Sequence, residues 1–215
     1  MRNNLISVSI DDGHPLDLKA AEILAKKNIK TTFYIPIKNA TGRPTLNKKQ
    51  IKYLSQNPNF EIGGHTCNHV DLTKISLEKA EEEIRSGKEA LEDIIGKKIT
   101  TFAWPWGKYN KDLIGLAKKI GFLDCRSGAI INFKPINKKN LLWHPNLFVY
   151  PNSRMQDIRN AFKRGDIYSL ILRLKYFNIN HLDLVNLFQK INKPFHIWFH
   201  SWQIEELGLW PRIFF

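Results

Sequence analysis

The chain has 215 residues, with 33 Lys and Arg against 20 Asp and Glu, a net charge of +13 and 43% hydrophobic residues. That length can bury one substantial core, and no Pro/Gly/Ser-rich linker, repeat or low-complexity tract divides it, so one domain over 1–215 is expected rather than two. Two cysteines are too few for a disulfide framework, and no apolar stretch resembles a signal peptide or is long enough to cross a bilayer, so a cytoplasmic protein with reduced thiols is expected.

Apolar strands alternate with helical segments. Leu5–Ile10 is the first strand and runs into Asp11-Asp12-Gly13. Leu16–Lys27 has Leu18, Ala21 and Leu24 in helical register and Asn28 as a stop. Thr31–Ile35, β-branched and aromatic, stops at Pro36, and Lys38–Lys49 reads as a long loop of the kind that shapes specificity. Phe60–Ile62 leads to His65. Leu77–Ile95 is a clear amphipathic helix, with Ser76 to cap its start and Gly96 to take a left-handed position past its end. Ile99–Ala103 leads to Trp104-Pro105-Trp106-Gly107, and Lys111–Ile120 is a helix closed by Gly121. Phe122–Arg126 is a short strand, Pro135–Asn140 a connector, and Leu141–Tyr150 is ambiguous. Helices are expected over Met155–Lys163, Tyr168–Phe177 and Leu182–Ile191, before the strand Phe195–Phe199 ends at His200. Strands separated by helices indicate parallel pairing. An α/β barrel and an open doubly wound sheet both gather the C-terminal ends of strands on one face; the number of units favours the barrel.

That convergence unites Asp11, Asp12, His65, His69, Trp106 and His200. Two imidazoles and one carboxylate, with a further position open, form a common catalytic set for a divalent ion such as zinc. Such an ion provides a nucleophile at neutral pH and polarises a carbonyl, which favours attack on an amide or ester. Each signal alone is weak: a pair of histidines four apart is often merely solvated, and Asp-Gly after a strand is first a turn signal. Cys67 should point away from the face shared by His65 and His69, and His14, His144, His181 and His196 read as structural. Trp104, Trp106, Trp198 and Trp202 cluster beside the candidate strand ends, where flat rings pack against sugars or against the core; Trp104 and Trp198 are the substrate-binding candidates.

Ser9-Ile10-Asp11-Asp12-Gly13 and His65-Thr66-Cys67-Asn68-His69, in that order, resemble the first two motifs of the polysaccharide deacetylase family, also called the NodB-homology domain or carbohydrate esterase family four. Phe102–Gly107 is similar to its third motif, and Trp198-Phe199-His200 stands at the place of its Leu-x-His. The resemblance spans nearly the whole chain. It implies a distorted, incomplete TIM-like (β/α) barrel and a metal-dependent hydrolase that removes an N-acetyl group from an amino sugar or glycan and releases acetate. It implies that Asp12, His65 and His69 hold one divalent ion, zinc first, with cobalt or nickel as alternatives. Asp11 is then the general base, the Trp106 main-chain N–H helps stabilise the oxyanion, His200 is the general acid, and Trp198 lines the acetyl pocket.

Two positions depart from the family pattern. Ala103 stands where the third motif begins with an arginine that orients the base; Arg126, in the next short strand, is the candidate replacement. The ending over Trp210–Phe215 looks clipped, so one flank of the last strand is expected to lack cover. The substrate expected is an N-acetylated sugar or glycan, with a lipid-linked sugar included. Because the lysines are dispersed rather than run together, no nucleic-acid partner is expected. The rival readings are hydrolysis of a non-sugar amide on the same fold, and a carbohydrate-binding relative without turnover.

Overall fold

The computed structural model describes residues 6–136, 141–190 and 194–213. Eight strands form one sheet: β1 (Ile6–Asp11), β2 (Lys30–Ile35), β3 (Phe60–Gly64), β4 (Thr101–Ala103), β5 (Asp124–Arg126), β6 (Leu142–Trp143), β7 (Leu147–Phe148) and β8 (Phe195–Phe199). Their spatial order is β6-β5-β4-β3-β2-β1-β8-β7, and every pairing between them is parallel. β6 and β7, the two ends of the sheet, are separated in the chain only by residues 144–146. One extended stretch therefore pairs with β5 at its start and β8 at its end, and the sheet curls into a distorted, incomplete TIM-like barrel. The ambiguity of Leu141–Tyr150 in sequence has this physical origin, since each half pairs over only two residues.

The helices are α1 (Asp17–Lys26), α2 (Lys48–Leu54), α3 (Leu77–Ile95), α4 (Lys111–Ile120), α5 (Arg154–Lys163), α6 (Ile167–Lys175), α7 (Leu184–Lys190), α8 (Ser201–Glu206) and α9 (Trp210–Ile213). Local chemistry sets their bounds. Ser76, Asn110, Ser153 and Asp166 each accept a backbone N–H from the first turn of α3, α4, α5 and α6, while Gly96 and Gly121 close α3 and α4 in the left-handed conformation. The centre of the sheet is buried on both faces, with Ile10, Phe33, Ile35, Phe102 and Phe199 at 0% exposure, which explains why these strands read as nearly continuous apolar runs.

Two expectations are corrected. The loop expected over Lys38–Lys49 gives way at its end to α2, whose capping box between Asn47 and Gln50 is a sequence signal in its own right. The flank of β8 expected to lack cover is covered: Ile204 of α8, Leu209 between the helices and Trp210 of α9 are buried, and the Trp210 ring meets Phe199 edge-on. The connector expected over Pro135–Asn140 and the end of the helix expected over Leu182–Ile191 lie partly outside the described residues.

Candidate active site

Parallel pairing brings the C-terminal ends of the strands to one rim. β1 delivers Asp11 and Asp12, β3 leads to His65 and His69, β4 to Trp104 and Trp106, β5 ends at Arg126, and β8 leads to His200. All of these except the buried Arg126, with Asn39, Thr41, Arg43, Phe148, Trp198, Trp202 and Gln203, line a cavity of about 420 Å³. The backbone here is unusual. Of five non-glycine residues with left-handed φ among those described, Asp12 (78°), Thr66 (67°), His69 (55°) and Trp106 (60°) lie at this rim. Each such conformation costs about 1–3 kcal/mol and persists only where surrounding contacts impose it, so strain concentrates where the candidate chemistry sits.

The contacts that impose it on the histidine segment are visible. Cys67 N–H donates to the Glu83 carbonyl of α3 at 2.9 Å, and the Glu83 carboxylate accepts from Asn68 N–H at 2.9 Å and from its side-chain amide at 2.7 Å. Gly87 permits this approach, because a Cβ there would lie 2.5 Å from the Thr66 carbonyl carbon. From the other side, Lys38 N–H donates to Cys67 O at 2.8 Å and Ala40 N–H to Asn68 O at 3.0 Å, so the long loop is stitched to the same segment.

Asp12, His65 and His69 are 5%, 2% and 7% exposed, and one ligand atom from each lies within 4.8 Å of the others. His69 Nε2 is 3.1 Å and His65 Nε2 3.8 Å from Asp12 Oδ1, yet no aligned hydrogen bond reaches that oxygen, which is buried without a donor. A buried anionic oxygen facing two imidazole nitrogens and lacking a proton donor fits a cation between them. Two further contacts orient the set: His65 Nδ1 lies 2.8 Å from the Ala103 carbonyl, and Trp202 Nε1 donates to Asp12 Oδ2 at 3.0 Å. Burial pushes the His65 imidazole down to about 4, which leaves it neutral near pH 7, as a ligand must be. Burial alone would raise Asp12, but His200, His69 and His65 hold its carboxyl well below the usual carboxylate range.

Asp11 takes no part in that set. Arg126 Nη2 donates to its Oδ1 at 2.5 Å and also to its Oδ2, Arg126 Nη1 donates to the Ser127 carbonyl at 2.9 Å, and both side chains are buried. Ala103 and Arg126 are register partners on β4 and β5, so the arginine enters from the neighbouring strand at the level where the family motif has its own. His200 Nε2 lies 3.9 Å from Asp12 Oδ2, and His200 Nδ1 is 2.7 Å from Gln203 Oε1. Trp198 stacks on Phe148 at 4.1 Å, donates from Nε1 to Ala129 O, and lies under the Arg126 guanidinium. Trp104, 2% exposed and packed on Phe102 and Tyr109, borders the cavity as part of the core, whereas Trp106 is 58% exposed with its ring 5.4 Å from His69.

The remaining histidines take structural partners: His196 bonds Ser7 and Ser9, His181 bonds Asp157 and Phe148 O, His144 bonds Ser127, and His14 accepts from Leu16 N–H. Sequence reasoning missed Arg43, whose guanidinium lies 3.4 Å over the Trp202 ring, and the wall residues Phe148 and Gln203. Gln203 carried a signal, standing one helical step past His200; Arg43, in a loop, carried none.

The chain is similar to known proteins. The family profile described as polysaccharide deacetylase matches residues 1–123. Chitin deacetylase 1 of Cryptococcus neoformans var. grubii is 29% identical over 119 residues, covering 55% of this chain and 24% of that protein. The peptidoglycan-N-acetylglucosamine deacetylase PgdA of Listeria monocytogenes serotype 1/2a is 27% identical over 121 residues, again covering 55% of this chain and 24% of its own length. Against these relatives the chain thus spans about a quarter of their length. The structure of a family 4 carbohydrate esterase from Streptomyces lividans in complex with acetate shares the fold with a TM-score of 0.61 at 14% identity, covering 99% of this chain and 87% of that one. With more than half of its length matched by the family profile, the chain belongs to the polysaccharide deacetylase family.

Proposed function

We propose that the protein is a metal-dependent hydrolase that removes an N-acetyl group from an amino sugar or glycan and releases acetate. The observation that carries this reading is the meeting of Asp12, His65 and His69 within 4.8 Å beside a separately held Asp11. Asp12, His65 and His69 would hold one divalent cation, zinc first, which supplies Lewis acidity toward the acetyl carbonyl and toward water. Asp11, fixed by Arg126, accepts the proton of the attacking water. The Trp106 main-chain N–H would donate to the developing oxyanion. His200, whose Nδ1 partner is Gln203, delivers a proton to the leaving amine, and an amine leaves poorly without one. Trp198 and Phe148 form an aromatic wall suited to the acetyl methyl, and the exposed Trp106 ring offers a face to a sugar.

The binding-only reading, suggested in part by Ala103, is weakened by the Arg126–Asp11 contact, which supplies the base with an arginine from another strand. The test is acetate release from N-acetylglucosamine oligomers by protein loaded with zinc or cobalt, with metal content measured alongside. Stoichiometric metal and acetate release, both lost in Asp12→Ala, are expected. Full loading without acetate release from sugars, but with ring opening of small cyclic amides to the amino acid product, would move the substrate class to non-sugar amides.

A further inference from the structure

Helix α6 is inverted in polarity. Its inner face carries Ser169 and Arg173, both 0% exposed: Ser169 Oγ accepts the Phe133 N–H at 2.8 Å, and Arg173 Nε pairs with Asp157 at 2.8 Å. Its outer face carries Ile167, Tyr168, Ile171 and Leu174, at 68%, 51%, 59% and 52% exposure and at helical spacing. The adjoining α5 repeats the pattern, with Met155 and Phe162 at 65% and 74% exposure and the exposed Arg159 between them. Of the twelve large hydrophobics exposed among the described residues, seven fall between Met155 and Phe177. A helix against water normally has the opposite polarity, and apolar exposure concentrated in one place marks a docking surface.

The charges around it select the partner. Arg159, Lys163 and Lys175 are exposed on these helices. The only acids between residues 150 and 177, Asp157 and Asp166, are buried and paired, the first with Arg173 and His181 and the second with Lys134 and Arg164. A second copy placed face to face would oppose cation to cation, whereas an acidic lipid surface matches both the charge and the apolar stripe.

We propose that α5 and α6 dock the protein on an anionic bilayer surface, with the apolar side chains entering the acyl boundary and the lysines and arginines meeting lipid phosphates. The docked helix is tied to the cavity, because Asn160 of α5 accepts the N–H of Ile130, a lining residue, at 3.3 Å.

The probes are vesicles of phosphatidylcholine alone and of equal parts phosphatidylcholine and phosphatidylglycerol, in a flotation assay. The unaltered chain is expected to float with the anionic vesicles at least about tenfold better than with the neutral ones. Phe162→Asp combined with Ile171→Asp loses flotation, and Lys163→Gln or Lys175→Gln each weakens it about fivefold. All four positions are exposed, so circular dichroism should match the unaltered chain. Equal flotation with both vesicles, none with either, or flotation unchanged in the double variant overturns the proposal. So does a dimer in sedimentation that dissociates in that variant. Acetate release from a soluble glycan stays unchanged in all these variants, which separates this surface from the catalytic reading.

Discussion

Arg126, at the end of β5, donates through one guanidinium nitrogen to both carboxylate oxygens of Asp11, at the end of β1, where both side chains are buried. Removing one partner of a buried pair leaves an uncompensated charge and costs about 3–5 kcal/mol, whereas replacing both by apolar groups is often neutral. Arg126→Ala is therefore expected to lose several kcal/mol in urea denaturation, and Arg126→Met with Asp11→Leu to recover most of it. Activity separates the two roles of the pair. The double variant stays inactive while retaining its metal, because Asp12, His65 and His69 are untouched.

Gly87 supplies a second test, with a sign opposite to helix propensity. Gly→Ala within a helix ordinarily gains about 1 kcal/mol. At Gly115 of α4 nothing lies within 4 Å of the place a methyl would take, so Gly115→Ala should show that gain; at Gly87 the methyl meets the backbone of Thr66 and Cys67 at 2.5–2.8 Å. Gly87→Ala should instead destabilise the fold and loosen the histidine segment. Zinc titration of both variants is the measurement: weaker affinity in Gly87→Ala and unchanged affinity in Gly115→Ala are expected.

Trp202 bonds the oxygen of Asp12 that faces away from the two imidazoles. Partners of this kind fix a ligand's orientation, and losing one weakens metal binding about 10–100-fold. Trp202→Phe keeps an aromatic ring under Arg43 and deletes the N–H, so competition with a chelator should register a loss of that size. Unchanged affinity would reduce Trp202 to a wall residue.

What was legible in sequence follows from what local chemistry determines. Asp11, Asp12, His65, His69 and His200 stand just past strands whose apolar runs are strong, and strand direction alone sends them to one rim. Helices α3 and α4 show in sequence because cap, stripe and terminal glycine all agree. β6 and β7 were obscure because each is only two residues long and owes its pairing to distant neighbours. Arg43 was invisible for a related reason: its place over Trp202 depends on a loop path fixed by bonds from Lys38 and Ala40 to the histidine segment. At α6 the sequence places a helix but does not say which face turns inward.

His200 should divide two classes of substrate. An amine requires protonation as it departs, while a nitrophenolate leaves unaided, so His200→Ala should reduce deacetylation of an N-acetyl sugar by about 10²–10⁴-fold and hydrolysis of 4-nitrophenyl acetate far less. Gln203→Ala, which removes the Nδ1 partner and leaves the imidazole, should fall between them. Equal losses on amide and ester in His200→Ala would assign the residue to binding rather than to proton delivery.

Stability against pH carries two opposing carboxyl contributions. Burial would raise Glu92, but the Lys88 ammonium at 2.5 Å, the Ile99 N–H at 2.9 Å and the Lys98 ammonium at 2.9 Å hold it down to about 2, below its ordinary 4.5. A depressed acid stabilises the fold fully above its unfolded value and loses that contribution as pH falls toward the folded one. The stability advantage of the unaltered chain over Glu92→Gln should accordingly shrink between about pH 5 and pH 2. Asp17 behaves in reverse. Burial pushes its carboxyl well above 3.8 despite the hydrogen bond from Ser201, so the unfolded chain ionises first and the folded state loses ground as pH rises through that value. Asp17→Asn removes this penalty, and its stability relative to the unaltered chain should climb from pH 3 to pH 7 in urea titrations, the slope opposite in sign to that of Glu92→Gln.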